Sequence, residues 1–149
     1  MRGTRLAAVA LTGVAFAVSG CGSSPKPLTR AELTTKANAI CKTVTAKLAT
    51  KTIKSQQDIA RIAPELASFE QSALNELSKL VPPAELEADW KAFVSGAQTL
   101  AENTSKLGEY AKANNLKAAR GLITSSQAVQ KQMVATAKRD GITACEQGA

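Results

Sequence analysis

The chain has 149 residues, with 19 lysines and arginines against 12 aspartates and glutamates, and it contains no histidine. The lack of histidine excludes Ser-His-Asp and Cys-His nucleophile systems, an axial histidine for haem, and the usual zinc and Glu-x-x-His di-iron sites of helical bundles. The sequence also has no Walker-type phosphate loop and no dinucleotide glycine fingerprint. We therefore expect a protein that is not an enzyme and that has no cofactor, no metal site and no catalytic residue.

The N-terminus has the pattern of an export signal. Arg2 and Arg5 form a basic start, residues 6–18 are an apolar run, and residues 18–21 read VSGC. The run has thirteen residues, which is short of the roughly 20 that cross a bilayer core. An uncleaved anchor, or an ordinary cleavage that leaves Cys21 as a thiol, is the alternative interpretation.

The VSGC segment resembles the lipobox of bacterial lipoprotein signal peptides. That resemblance implies cleavage before Cys21, a diacylglyceryl group on its sulfur, and attachment to the extracytoplasmic face of the cell membrane. Two acyl chains give stable anchoring, at about 0.8 kcal/mol per buried methylene.

Three segments follow from this interpretation. Residues 1–20 are the signal peptide, residues 21–27 a flexible lipidated tether, and residues 28–149 one domain. The small, polar and proline-rich residues 22–27 favour an unstructured tether. At the extended spacing they reach at most about 20 Å, so the domain is expected close to the lipid surface.

The domain is predicted to be all-α, because apolar residues recur every three or four positions and strand-like runs are absent. Capping boxes start helix 1 at Thr29 and helix 2 at Ser55. Helix 3 opens after Pro83 and continues to about Ala113. Helix 4 follows the turn at residues 114–115 and ends at a Gly141 cap.

Four amphipathic helices with short loops predict an up-down-up-down four-helix bundle. Pro64 lies inside the apolar stripe of helix 2, so we expect a kink or a helix restart there. An arrangement of three long helices, with residues 59–63 as a separate short piece, stays open.

Two cysteines remain once Cys21 is lipidated. Export permits disulfides, and in an up-down bundle the end of helix 4 lies near the start of helix 1. An extended tail after Gly141 would reach roughly 13 Å, enough to fold back along helix 1. We therefore predict a bond between Cys41 and Cys145, with two unpaired thiols as the alternative. No Cys-x-x-Cys is present to suggest a redox pair.

Other candidate groups have simpler structural explanations. The carboxylates of Glu85, Glu87 and Asp89 could hold a weak cation, but acidic residues in a first helical turn complement the helix dipole. Stripe positions favour a core role for Trp90 and Phe93 over a ligand pocket. Thr104 and Ser126 are expected to bond to their own helices.

Charge is distributed unevenly along the chain. Without Arg2 and Arg5 the chain has 17 basic and 12 acidic residues, a net charge of +5, and the basic residues concentrate in helices 1 and 4. If these helices are neighbours, their basic residues form one side that could face anionic lipid or an acidic envelope polymer. The candidates are Lys36, Lys42, Lys47, Lys51, Lys117, Arg120, Lys131 and Lys138. A solvated lysine-rich surface is the simpler alternative, and nucleic acid is not an expected partner because stacking aromatics are lacking.

Two functional hypotheses remain. The first is a membrane-anchored, non-enzymatic module that acts through its surface in the envelope, with an unknown protein partner. The second is a lipoprotein that binds a small or apolar ligand between its helices. In cysteine spacing and composition the mature part resembles small actinobacterial helical lipoproteins of unknown function, a resemblance that implies no activity.

Overall fold

Four helices make up most of the protein in a computed structural model that describes residues 25–146. Two single turns of 3-10 helix accompany them, Ala84–Leu86 before the third helix and Thr143–Cys145 after the fourth. The four helices are α1 (Arg30–Ala49), α2 (Gln56–Ser78), α3 (Glu87–Lys112) and α4 (Leu116–Asp140). The predicted all-α four-helix bundle is confirmed, and no strand occurs within residues 25–146.

Local side-chain chemistry determines where α1 and α2 begin. The Thr29 hydroxyl accepts from the Glu32 N–H at 3.2 Å, and the Glu32 carboxylate accepts from the Thr29 N–H at 2.8 Å. Ser55 and Asp58 repeat this reciprocal arrangement at the start of α2. Each box satisfies two backbone donors that a helix start leaves without partners, and losing such a cap costs about 1 kcal/mol. Both predicted capping boxes are confirmed.

Helix α2 is continuous through Pro64. The predicted restart at this proline is therefore wrong, and so is the separate short piece at residues 59–63. Proline in a helix interior removes one backbone hydrogen bond and crowds the preceding turn. The helix persists because its Ile62 and Ala63 side chains are buried, and packing of an apolar face contributes more to helix stability than local propensity does.

Consecutive helices run antiparallel. Residues near the start of α2 meet the end of α3, where a Cβ built on Gly108 would lie only 2.9 Å from the Cβ of Ala63. Residues in the middle of α3 meet α4, where Asn103 Nδ2 donates to Ser126 Oγ at 3.0 Å. Because a small residue is needed for helices to approach this closely, Gly108 sets the spacing between α2 and α3.

The largest group of buried side chains lies where α1 begins, α2 ends, α3 begins and α4 ends. Phe93 and Leu33 are among the most deeply buried side chains, and the Trp90 and Phe93 rings stack with centroids 5.5 Å apart. Removing a buried ring such as Phe93 would cost about 3–5 kcal/mol. This end of the bundle is therefore the main stabilising core of the domain.

The chain reverses at Gly141, which has a φ of 77° and caps α4 in the left-handed conformation. The N–H of Ile142 donates to the Ala137 carbonyl at 2.8 Å, and the Ile142 side chain is buried. Both features confirm the predicted cap. The tail that follows folds back against α1 as a 3-10 turn, more compact than the extended length used to estimate its reach, and Ile142 and Ala144 are buried against the bundle.

The predicted signal peptide (residues 1–20), Cys21 and the first part of the predicted tether lie outside the described residues, as do residues 147–149. Within residues 25–146, no helix is long and apolar enough to cross a membrane.

Candidate functional site

An apolar hollow of about 120 Å³ lies between the four helices, beside the main core. Aliphatic and small side chains dominate its wall, with one aromatic ring and one carboxyl group. Its lining includes Val44, Leu48, Leu77, Phe93, Ala97 and Met133. Dry cavities of about 150 Å³ with similar walls accept benzene or xenon in other proteins. The hollow, called the inner hollow below, therefore has the size and chemistry to accept a small apolar group.

A second hollow of about 340 Å³ adjoins it towards the other end of the bundle. The two share the side chains of Leu48, Glu70 and Leu100, and together they form a groove that is partly open to solvent between α1 and α4. The outer hollow is more polar, because its wall includes the side chains of Asn103 and Gln127. One groove thus offers a more apolar and a more polar part, and both are partly open to solvent.

The groove exists because α1 and α4 do not pack along their full length. Their connection lies at the core end, where Thr34 Oγ1 donates to the Asp140 carbonyl at 3.2 Å. Asn38 holds the turn after α4, since its Oδ1 accepts from the Ala144 N–H at 2.8 Å and its Nδ2 donates to the Gly141 carbonyl at 3.4 Å. Towards the far end, Leu48 of α1 faces α4 across the outer hollow.

Glu70 lies where the two hollows meet. Its Oε2 atom is fully shielded from solvent and has no hydrogen-bond partner among the described residues. Burial raises the pKa of this carboxyl above its usual value, because the charged form loses hydration. The Thr104 hydroxyl, which also donates to the Leu100 carbonyl 3.0 Å away, acts in the opposite direction and lowers the pKa of Glu70. Glu70 is therefore a partly buried acid with one shielded oxygen that lacks a hydrogen-bond donor.

The structure brings Cys41 and Cys145 together, as predicted. Their Cα atoms lie 5.0 Å apart and their sulfur atoms lie at disulfide distance, across a sequence separation of 104 residues. A Cα separation of this size is usual for a disulfide. Both residues also line the inner hollow. A bond here would hold the turn after α4 against α1 and keep one end of the groove fixed.

The basic residues of α1 and α4 do not form one continuous side. The Lys47 ammonium, in the last turn of α1, lies 3.9 Å from the Glu65 carboxylate of α2, and the Lys51 ammonium lies 2.7 Å from it. Lys51 was predicted on helix 1 but follows the end of α1. A hydrogen bond from Lys51, with its charge, holds the pKa of Glu65 below its usual value. Two of the four basic residues predicted on helix 1 therefore pair with a carboxylate of α2. The groove also separates the second half of α1 from α4.

The four candidates on α4 form a coherent surface, called the α4 basic face below. At about 100° per residue they fall within an arc of about 60°, opposite the stripe that includes Met133 and Ala137. All four are exposed, and none makes an ion pair with another described residue. They are Lys117, Arg120, Lys131 and Lys138.

The remaining candidates take structural positions. Trp90 and Phe93 are buried in the main core, although Phe93 also lines the inner hollow. The hydroxyls of Thr104 and Ser126 donate to carbonyls of their own helices at 3.0 and 2.8 Å, which confirms that prediction. Asp89 pairs with Arg139 at 3.1 Å.

The predicted turn residues Glu85 and Glu87 do not gather into a metal site with Asp89. Within residues 25–146, no three acidic, cysteine or histidine side chains lie close enough together to hold a metal ion.

Sequence reasoning missed Glu70 in the groove and Asn38, which binds the turn after α4. Glu70 lies four residues after Leu66 and three before Ala73, so it interrupts the apolar stripe of α2 at a core position. A carboxyl group at such a position is the signal that could have identified it. Asn38 offered no comparable signal, because the N–H that it binds belongs to Ala144, 106 residues along the chain.

Comparison with known proteins places no constraint on this site. A scan against protein-family models and searches of curated proteins and of solved structures find no match to the chain.

Proposed function

We propose that this protein is a lipid-anchored, extracytoplasmic lipoprotein whose helical domain is not an enzyme and binds a small apolar molecule in the groove between α1 and α4. The observation that carries the proposal is the inner hollow, an apolar space walled by all four helices and continuous with the more polar part of the groove. A surface-acting module needs no such space. The ligand-binding hypothesis is therefore the better supported of the two.

The anchoring part of the proposal rests on the sequence at residues 18–21. It is tested by metabolic labelling with a fatty acid, comparing the wild-type chain with Cys21→Ser. We expect label and detergent partitioning in the wild type only, because the thiol is the acceptor of the diacylglyceryl group. Equal labelling of the two chains would rule out Cys21 as the anchor.

The binding part is tested with N-phenyl-1-naphthylamine, an apolar dye that fluoresces when it leaves water. The full chain carrying Cys21→Ser is used, so that no acyl chain competes for the groove. Dye fluorescence should rise on binding. It should rise much less in Ala97→Leu, because Ala97 lines the inner hollow and three added carbon atoms occupy part of that space.

The matched control is Ala92→Leu, the same substitution on the exposed side of α3. Its dye binding should equal that of the unsubstituted chain. Thermal unfolding of both variants establishes that Ala97→Leu is folded at the assay temperature. Equal dye binding by folded Ala97→Leu and Ala92→Leu would refute a site in the inner hollow.

A second function is favoured by the α4 basic face. A lysine or arginine near an anionic surface contributes about 1 kcal/mol, and the effect fades within a Debye length of about 8 Å at physiological salt. Because the tether is short, this face is expected within reach of lipid headgroups. We propose that it orients the domain against anionic lipid, while the anchor supplies the attachment.

Vesicle flotation of the Cys21→Ser chain tests this orientation. The chain should float with vesicles containing anionic lipid at low salt, and a Lys131→Glu, Lys138→Glu double variant should lose most of that binding. The control is Lys106→Glu with Lys112→Glu, the same charge change at exposed positions of α3. If both double variants bind alike, or if the chain ignores anionic vesicles, the α4 basic face is only a solvated surface.

A further inference from the structure

Glu70 gives the groove a specific chemical character. Among the side chains that line the two hollows in the described part of the chain, it is the one that is ionisable. Its shielded Oε2 has no donor to accept from. An unpartnered polar atom in an apolar environment costs free energy, and the cost is larger when the group is charged. A ligand that donates to this oxygen would recover that free energy.

No described lysine or arginine supplies the donor that the shielded oxygen lacks. The lysines at and just after the end of α1, Lys47 and Lys51, direct their ammonium groups to Glu65, one turn earlier on α2. No described lysine or arginine lies within 4.0 Å of the Glu70 carboxylate. The basic residues of the protein thus lie outside the groove, and its interior is acidic although the chain as a whole is basic.

The two hollows further restrict the shape of a ligand. The inner hollow accepts an apolar body of about the size of a benzene ring. Glu70 lies at its boundary with the outer hollow, where Asn103, Ser126 and Gln127 provide further polar groups. A bound molecule therefore needs an apolar part and, a short distance away, a group that satisfies a carboxylate.

We propose that the groove binds an amphipathic organic cation, with its apolar body in the inner hollow and a protonated amine paired with Glu70. This inference rests on the proposed ligand-binding function and names the class of ligand. An ammonium group suits the position better than a hydroxyl, because it brings a positive charge next to the carboxylate in addition to its hydrogen-bond donors. An anionic ligand is disfavoured, since its charge would lie against the carboxylate.

The test uses three probes with the same six-carbon chain: hexylammonium, hexanol and hexanoate. Binding to the full chain carrying Cys21→Ser is followed by nuclear magnetic resonance of methionine methyl groups. The sequence has two methionines, Met1 and Met133, and Met133 lines the inner hollow. A Met133→Leu sample assigns its signal. At neutral pH we expect hexylammonium to bind about tenfold more tightly than hexanol, and hexanoate to bind most weakly.

Substitution of the acid provides the matched comparison. Glu70→Gln keeps the size of the side chain and removes its charge, so the preference for hexylammonium over hexanol should disappear. Glu76→Gln changes an exposed acid of the same helix and should keep that preference. The comparison of probes on the unsubstituted Glu70 chain does not depend on how well either variant folds.

The results of these experiments distinguish failure of the cation proposal from failure of the ligand-binding function on which it rests. If hexanol binds as tightly as hexylammonium, or if Glu70→Gln keeps the preference, the ligand is not a cation held by Glu70, but the groove still binds apolar molecules. If none of the three probes shifts the Met133 signal, both the inference and the ligand-binding function are wrong.

Discussion

Breaking the link between Cys41 and Cys145 should strongly destabilise the domain. The link joins the middle of α1 to the 3-10 turn after α4, across a sequence separation of 104 residues. Other contacts also hold this turn: Asn38 binds it by two hydrogen bonds, and Ile142 and Ala144 are buried. Reduction should release the turn first and then loosen the core end of the groove.

The magnitude follows from the length of the loop that the bond closes. In the chain-entropy model, a loop of about 100 residues loses about 4.7 kcal/mol of stabilisation at 25 °C when its cross-link is cut. Measured losses for native disulfides are about 2–5 kcal/mol. The free energy of unfolding of small domains falls by about 1–3 kcal/mol for each molar of urea. The urea midpoint should consequently fall by about 2 M on reduction.

The assay is urea unfolding of the chain at 25 °C with and without a phosphine reductant, followed by circular dichroism. A Cys41→Ala, Cys145→Ala double variant serves as the control, since it should unfold near the reduced wild type and ignore the reductant. Because reduction leaves both sulfur atoms in place, any lower urea midpoint in the double variant than in the reduced wild type measures the packing of those sulfur atoms. An oxidised and a reduced wild type with the same midpoint would refute a stabilising cross-link between α1 and the C-terminal turn.

Two further predictions concern helix spacing and pH. Gly108→Ala should destabilise the domain by about 1–2 kcal/mol, because the new Cβ would lie 2.9 Å from that of Ala63 and neither atom can move without its helix. Gly121→Ala, which has no atom within 4 Å of the new Cβ, should stabilise it by up to about 1 kcal/mol, and urea midpoints that rank the two alike would contradict the close contact. The raised pKa of Glu70 means that the folded state holds this proton more tightly than the unfolded one. Its contribution to stability is therefore present below the ordinary pKa of a glutamate in the unfolded chain and is lost as pH rises through the folded-state pKa. Glu70→Gln should remove that loss and Glu76→Gln should not, and unfolding free energies measured between pH 4 and 8 that fall equally in both variants would assign the loss to another group.

Sequence reasoning succeeded where the deciding interactions are local. The capping boxes at Thr29 and Ser55 join residues three positions apart, and the Gly141 cap depends on its own backbone angle. The residues that form these caps lie within a few positions of the helix ends, so the sequence alone identifies them. Apolar periodicity likewise predicted which face of each helix would be buried, because that face is a property of the helix itself.

It failed where the outcome depends on how helices meet. Of the kink or restart expected at Pro64, the restart does not occur, and burial of the neighbouring residues keeps α2 continuous. The need for Gly108 beside Ala63 arises from the distance between two helices, which no single-helix pattern encodes. The groove is a further case, since it exists only because α1 and α4 separate beyond their contact at Thr34.

The most direct test of the ligand-binding groove is diffraction from a crystal of the Cys21→Ser chain held under xenon pressure. Xenon enters apolar cavities of this size because it gains dispersion contacts without losing hydrogen bonds. We predict a xenon peak in the inner hollow, in contact with Phe93, Ala97 and Met133. A closed space, with Met133 or Leu48 packed into the hollow and no xenon bound, would contradict the proposed function.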